Sequence, residues 1–150
     1  MAIPLLCGTR TTFEKRYQSR GGNTRAVAEI IADTVGVKAY PIGEPLEGTV
    51  DLLVLGGGVY AWNADAELLE YLKHLDKTKI KKIAPFSTTG AMTVAVKRIK
   101  EGAVNAGIPV TEQSLCLKVM LQGHSVLGRE GGHLKQMQVE AVRKFARSLV

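Results

Sequence analysis

Two kinds of apolar pattern alternate along this chain. Val27, Ile30, Ile31 and Thr34 recur at helical spacing, and Gly36 stands where a helix C-terminal cap would. A short strand is expected over residues 38–42. "DLLVLGGG" begins at an acidic residue, runs apolar without alternation and ends in three glycines. Such a run reads as a strand buried on both faces that opens into a loop of unusual freedom. A second helix places Leu68, Leu69, Leu72 and Leu75 inward, and a third strand over residues 82–86 stops at "STTG". A third helix, with Met92, Ala95, Val96 and Ile99 on its inner face, ends at Gly107, two residues before Pro109. "IPVTEQSLCLKV" is expected to be the last strand, and Val142, Phe145, Ala146 and Leu149 mark a closing helix. Strand alternating with helix throughout predicts a parallel sheet with helices on both faces. Residues 43–50 are too few for a helical crossover, so a loop or single turn is expected there.

Composition narrows what such a sheet is for. At 150 residues and 45% hydrophobic, the chain suits one domain with a full core. No window holds about 18 uninterrupted apolar residues, which speaks against a membrane span. "MAIPLLCG" lacks the basic start of a secretory signal, so a cytoplasmic protein is expected. Cys7 and Cys116 stand far apart with no ligand spacing, which indicates neither a metal site nor a disulfide framework. His74, His124 and His133 show no metal spacing either, and "GREGGH" reads as a turn before the last helix. The formal net charge is +6, but with 5% aromatics and basic clusters no longer than "KIKK" and "VKRIK" the basic residues read as a solvated surface rather than a nucleic-acid groove.

In open parallel sheets ligands bind beyond the carboxyl ends of the strands, where strand order reverses. Three loops expected at those ends are chemically unusual: "SRGGNT", "GGGVYAWN" and "STTGAM". The first brings Ser19 and Thr24 hydroxyls, the Asn23 amide and glycine-exposed N–H groups to a helix N-terminus, a combination suited to phosphate. Asn23 or Thr24 as a plain helix cap is the bland alternative. The second sets Tyr60 and the only tryptophan, Trp62, beside a strand end, where a flat heterocycle would stack, although Trp62 lying over the core edge is also open. The third offers Ser87, Thr88 and Thr89 to the polar edge of such a ring.

Taken together, "YQSRGGNTRAVAEIIAD", "LVLGGGVYAW" and "FSTTGAM" resemble the flavodoxin and flavodoxin-like proteins over residues 17–150. That resemblance implies a flavodoxin-like three-layer α/β sandwich, with a doubly wound five-stranded parallel sheet in the order 2-1-3-4-5. It places the domain at residues 13–150, with residues 1–12 as an N-terminal extension. It also implies FMN as cofactor, with Ser19, Arg20, Gly21, Gly22, Asn23 and Thr24 holding the phosphate. Gly58, Val59, Tyr60, Ala61 and Trp62 would flank one side of the flavin, Tyr60 as the stacking ring and the peptide between Ala61 and Trp62 facing flavin N5. Ser87, Thr88, Thr89 and Gly90 would flank the other. Alanine turns such a peptide less readily than glycine, so only modest stabilisation of the one-electron-reduced flavin is expected.

Three features depart from the family pattern. The segment matching the first strand carries Glu14, Lys15 and Arg16, so a short strand whose charges escape at one end is expected. A rival reading makes "IPLLC" the first strand and "GTRTT" its loop. Thr89 stands where many members carry an aromatic ring, leaving one flavin face less covered. The chain is also basic where flavodoxins that carry electrons are typically acidic, so an acidic redox partner is expected. Three functions follow: an FMN electron carrier first, then an FMN-dependent oxidoreductase acting on a quinone or similar small acceptor, then a flavin-free interaction module of the same fold.

Overall fold

A computed structural model describes residues 13–17, 23–46, 48–60, 63–64, 66–89, 94–118 and 134–150. The elements run β1 (Phe13–Tyr17), α1 (Asn23–Val35), β2 (Tyr40–Pro41), β3 (Leu52–Tyr60), β4 (Asn63–Ala64), α2 (Ala66–Lys73), β5 (Ile83–Thr89), α3 (Val94–Ala106), β6 (Leu115–Lys118) and α4 (Gln136–Ser148). Five of the strands form one parallel sheet in the spatial order β2-β1-β3-β5-β6, and β4 pairs antiparallel with the far end of β3. Counting the parallel strands alone, this is the expected order 2-1-3-4-5. The rival first strand, "IPLLC", lies outside the described residues, while β1 occupies the position between β2 and β3.

Each face of the sheet is closed by two helices. Val27, Ala28 and Ile31 of α1 and Val142, Phe145 and Ala146 of α4 pack on Leu52, Val54, Ala84, Phe86 and Leu117. On the other face Leu68 and Leu72 of α2 and Ala95, Ile99 and Ala103 of α3 cover Leu53, Leu55 and Ile83. The alternation within β3, with Leu52 and Val54 to one core and Leu53 and Leu55 to the other, is the strand period of two expressed in a doubly covered strand. Gly36 and Gly107 end α1 and α3 with φ of 73° and 74°, in the left-handed region where glycine has no Cβ penalty. Backbone bonds from Val37 N to Ala32 O and from Ile108 N to Ala103 O close the two helices.

Three expectations are corrected in detail. The charges of β1 do not escape at an end: Lys15 is 0% and Arg16 3% exposed in the middle of the sheet. Each finds compensation inside. Lys15 Nζ donates to Val37 O at 3.3 Å, beyond the carbonyl end of α1, where the helix dipole favours a cation. Arg16, on the other face, donates from Nη1 to Glu14 Oε2 at 2.8 Å and to its neighbour Lys15 O at 3.0 Å. Its Nε and Nη2 reach Glu44 O and Pro45 O, both at 3.1 Å, and its guanidinium lies 4.9 Å from the centre of the Tyr40 ring.

The glycines after "DLLVL" are not a free loop either. Gly56, Gly57 and Gly58 continue β3, all three buried and paired with Phe86, Ser87 and Thr88 of β5. A Cβ on Gly56 would stand 2.0 Å from Phe86 Cζ, and one on Gly57 2.5 Å from Leu68 Cδ2. Close packing of a ring and a leucine against bare backbone explains them. Finally, "IPVTEQSLCLKV" yields a strand only at its end, with Val110 making a single bridge to Ile83 before the chain joins the sheet as β6.

Candidate functional site

Strand order reverses between β1 and β3, because α1 leads from β1 to β2 on one side while the chain then crosses to β3 on the other. The crevice expected of such a sheet therefore lies beyond Tyr17, the carboxyl end of β3 and Thr89. The N-terminus of α1 stands at this edge, and its first-turn N–H groups and dipole favour an anion there.

Of the residues singled out in the sequence, Asn23 and Thr24 open α1, Gly58, Val59 and Tyr60 close β3, and Ser87, Thr88 and Thr89 close β5. Ser19, Arg20, Gly21, Gly22, Ala61, Trp62 and Gly90 lie outside the described residues, as do residues 1–12, Met92 and "GREGGH". Tyr60 pairs with Asn63 and Val59 with Ala64, so the backbone on both sides of Ala61 and Trp62 is tied as a hairpin.

The structure brings two of the three segments into direct contact. Thr24 Oγ1 and Thr88 Oγ1 are 2.7 Å apart, with Thr24 1% and Thr88 5% exposed. Gly58, the partner of Thr88 in β3, puts no side chain on that face, so the first turn of α1 reaches β5 across the middle strand. Two hydroxyls carry two protons, and their mutual bond uses one. The other has no acceptor among the described residues, and a buried donor without a partner is costly. A ligand with only acceptor atoms at the head of α1, such as a phosphate, satisfies it. Ser87 points to the opposite face, where its hydroxyl donates to Cys116 Sγ at 3.4 Å.

Sequence reasoning missed the Thr24 and Thr88 contact, which joins residues 64 positions apart. Their spacing carries no signal; only the register of β3 on β5 and the bare glycine between them do. The described residues hold no cluster of three or more His, Cys, Asp or Glu side chains suited to a metal ion. None of their helices is long and apolar enough to cross a membrane.

A doubly wound parallel sheet in this order, with helices on both faces, defines a class of open α/β protein. Within that class the chain belongs to the flavodoxin-domain family, whose family model matches residues 16–123. A sequence search of curated proteins found no match. Among solved structures, the chain is similar to a flavodoxin from the domain Archaea, with TM-score 0.74, 13% identity and coverage of 91% of this chain and 94% of that one. A flavoprotein of Lactobacillus acidophilus in complex with FMN gives TM-score 0.55 at 15% identity, covering 72% of this chain and 93% of that one. Rubredoxin oxygen:oxidoreductase of Desulfovibrio gigas gives TM-score 0.66 at 14% identity, over 90% of this chain but 34% of that larger one. At these identities the likeness is one of fold.

Proposed function

We propose that this chain binds FMN at the carboxyl edge of its sheet and carries electrons between redox partners. The observation that supports this most is the buried Thr24 and Thr88 pair at the head of α1, whose second hydroxyl proton has no acceptor among the described residues. Ser19, Arg20, Gly21, Gly22, Asn23 and Thr24 would hold the phosphate. Gly58, Val59, Tyr60, Ala61 and Trp62 would lie along one side of the ring, and the backbone at Ser87, Thr89 and Gly90 along the other, while the Thr88 hydroxyl is turned to Thr24. The FMN complex of the Lactobacillus flavoprotein is in keeping with that cofactor. The flavin supplies the electron chemistry when bound; the chain's part is to bind, orient and shield it. Helix N–H groups and small hydroxyls would donate to the phosphate, and the Phe86 ring packs closely on Gly56 in the sheet below. With a net charge of +6, a partner with an acidic surface fits best.

The absorption spectrum of the purified protein, before and after adding FMN, tests this reading. A protein-bound flavin spectrum released on denaturation is the expected result. A colourless protein that takes up no FMN contradicts it and favours a flavin-free interaction module. A second reading, an FMN-dependent oxidoreductase acting on a small acceptor such as a quinone, draws on the oxidoreductase of similar fold. Turnover of NADH or NADPH with a quinone by the isolated protein would select it.

A further inference from the structure

We propose that Thr88 is a positioning residue for the phosphate rather than a contact of the ring: its hydroxyl donates to Thr24 Oγ1 and so turns the Thr24 proton toward the anion. This rests on the FMN reading and deepens it. The bond between the two oxygens, 2.7 Å long and buried, can run in either direction in the protein alone. A phosphate selects one of them. It accepts hydrogen bonds and gives none, so whichever hydroxyl meets it must donate to it and accept from its partner.

Thr24 is the hydroxyl that meets it. It is the second residue of α1, in the first turn, where the positive end of the helix dipole favours an anion. Thr88 sits within β5 and is paired on one side to Gly58 of β3 and on the other to Leu117 of β6. The order of donation is therefore Thr88 to Thr24 to phosphate, a two-step chain in which each bond polarises the next. Thr88 thus links the phosphate end of the site to the end of β5 without touching the ligand. Gly58 is what makes room for that link, since it lies beside Thr88 on the face that α1 covers.

The test is a titration of FMN and of riboflavin, followed by flavin fluorescence, in the unaltered protein and in Thr88→Val, Thr88→Ser, Thr24→Val and the double variant Thr24→Val/Thr88→Val. Thr88→Val keeps the shape and removes the hydroxyl. It is expected to weaken FMN about three- to tenfold, the size of a lost polarising and orienting bond, while riboflavin, which has no phosphate, stays within about twofold. Thr88→Ser, which retains the hydroxyl, restores FMN affinity. Thr24→Val weakens FMN about ten- to a hundredfold, and the double variant is no weaker than Thr24→Val alone, because Thr88 acts only through Thr24.

Equal loss of FMN and riboflavin in Thr88→Val overturns the proposal and makes Thr88 a ring contact or a packing residue. Loss in the double variant equal to the product of the single losses overturns it too, as does unchanged FMN affinity in Thr88→Val. An unaltered protein that binds neither flavin overturns the FMN reading itself, and this proposal with it, whatever the variants do.

Discussion

Lys15 and Arg16 are neighbours in β1, both buried, and they invite opposite outcomes when removed. Arg16 is met by a carboxylate, three carbonyls and an aromatic ring, whereas Lys15 is met by the single carbonyl of Val37. Burial lowers the Lys15 pKa from its ordinary 10.5 to about 8, with Glu14 pulling the other way. The unfolded chain then holds more protons than the folded one between those two values, so stability gained from this group rises with pH across that window. Below pH 8 the native state bears the full cost of the buried ammonium; above 10.5 it bears none. The cost is about 3 kcal/mol, from a shift of that size at about 1.4 kcal/mol per unit. Lys15→Met, which keeps the length of the chain and drops the charge, is expected to be more stable than the unaltered protein by about 1–3 kcal/mol at pH 7. The difference should shrink toward zero as pH approaches 10.5. Urea unfolding of both proteins at pH 7, 9 and 10 measures it, and a less stable variant at pH 7 contradicts the account.

At the scale of elements, the helices were the most legible part of the sequence, because their apolar stripes and terminal glycines carry a local signal. Val27, Ile31, Ala95, Val96, Ile99, Val142, Phe145 and Ala146 are all buried, and Gly36 and Gly107 end their helices as expected. The strands were less legible where their residues answer to a distant partner. Glu14, Lys15 and Arg16 read as misfits until Val37 and the 43–50 crossover are in place to receive them, and the β3 glycines read as a loop until Phe86 and Leu68 are packed on them. That crossover, one turn rather than a helix, is pinned by Arg16 through Glu44 O and Pro45 O. Arg16→Met leaves the Glu14 carboxylate and those carbonyls without their donor. It is expected to cost about 2–4 kcal/mol, because Glu14 keeps partial access to water while the carbonyls lose charge-assisted bonds. Denaturant unfolding gives the size, and amide exchange of Ile42 and Glu44, both bonded within this corner, locates it. A variant as stable as the unaltered protein would show that the corner stands without Arg16.

Seen as a whole, the molecule gathers the carboxyl ends of β1, β3 and β5 and the head of α1 at one edge of its sheet. The sheet order and the alternation of helices followed from pattern and resemblance, since a parallel sheet with short connections admits few arrangements. The candidate site rests on three chemically odd segments in the sequence, which carry no geometry of their own. Only the fold reveals that Thr24 and Thr88 share a bond across Gly58 and that the Ser87 hydroxyl is turned to Cys116 on the far face. The central claim is that the head of α1 exists to take a phosphate attached to a flavin. Binding constants for FMN and riboflavin, measured side by side on the unaltered protein, test it most directly. Two or more charge-assisted bonds to a phosphate should make FMN the tighter ligand by about a hundredfold or more. Equal affinity for the two flavins, or no binding of FMN, would contradict it.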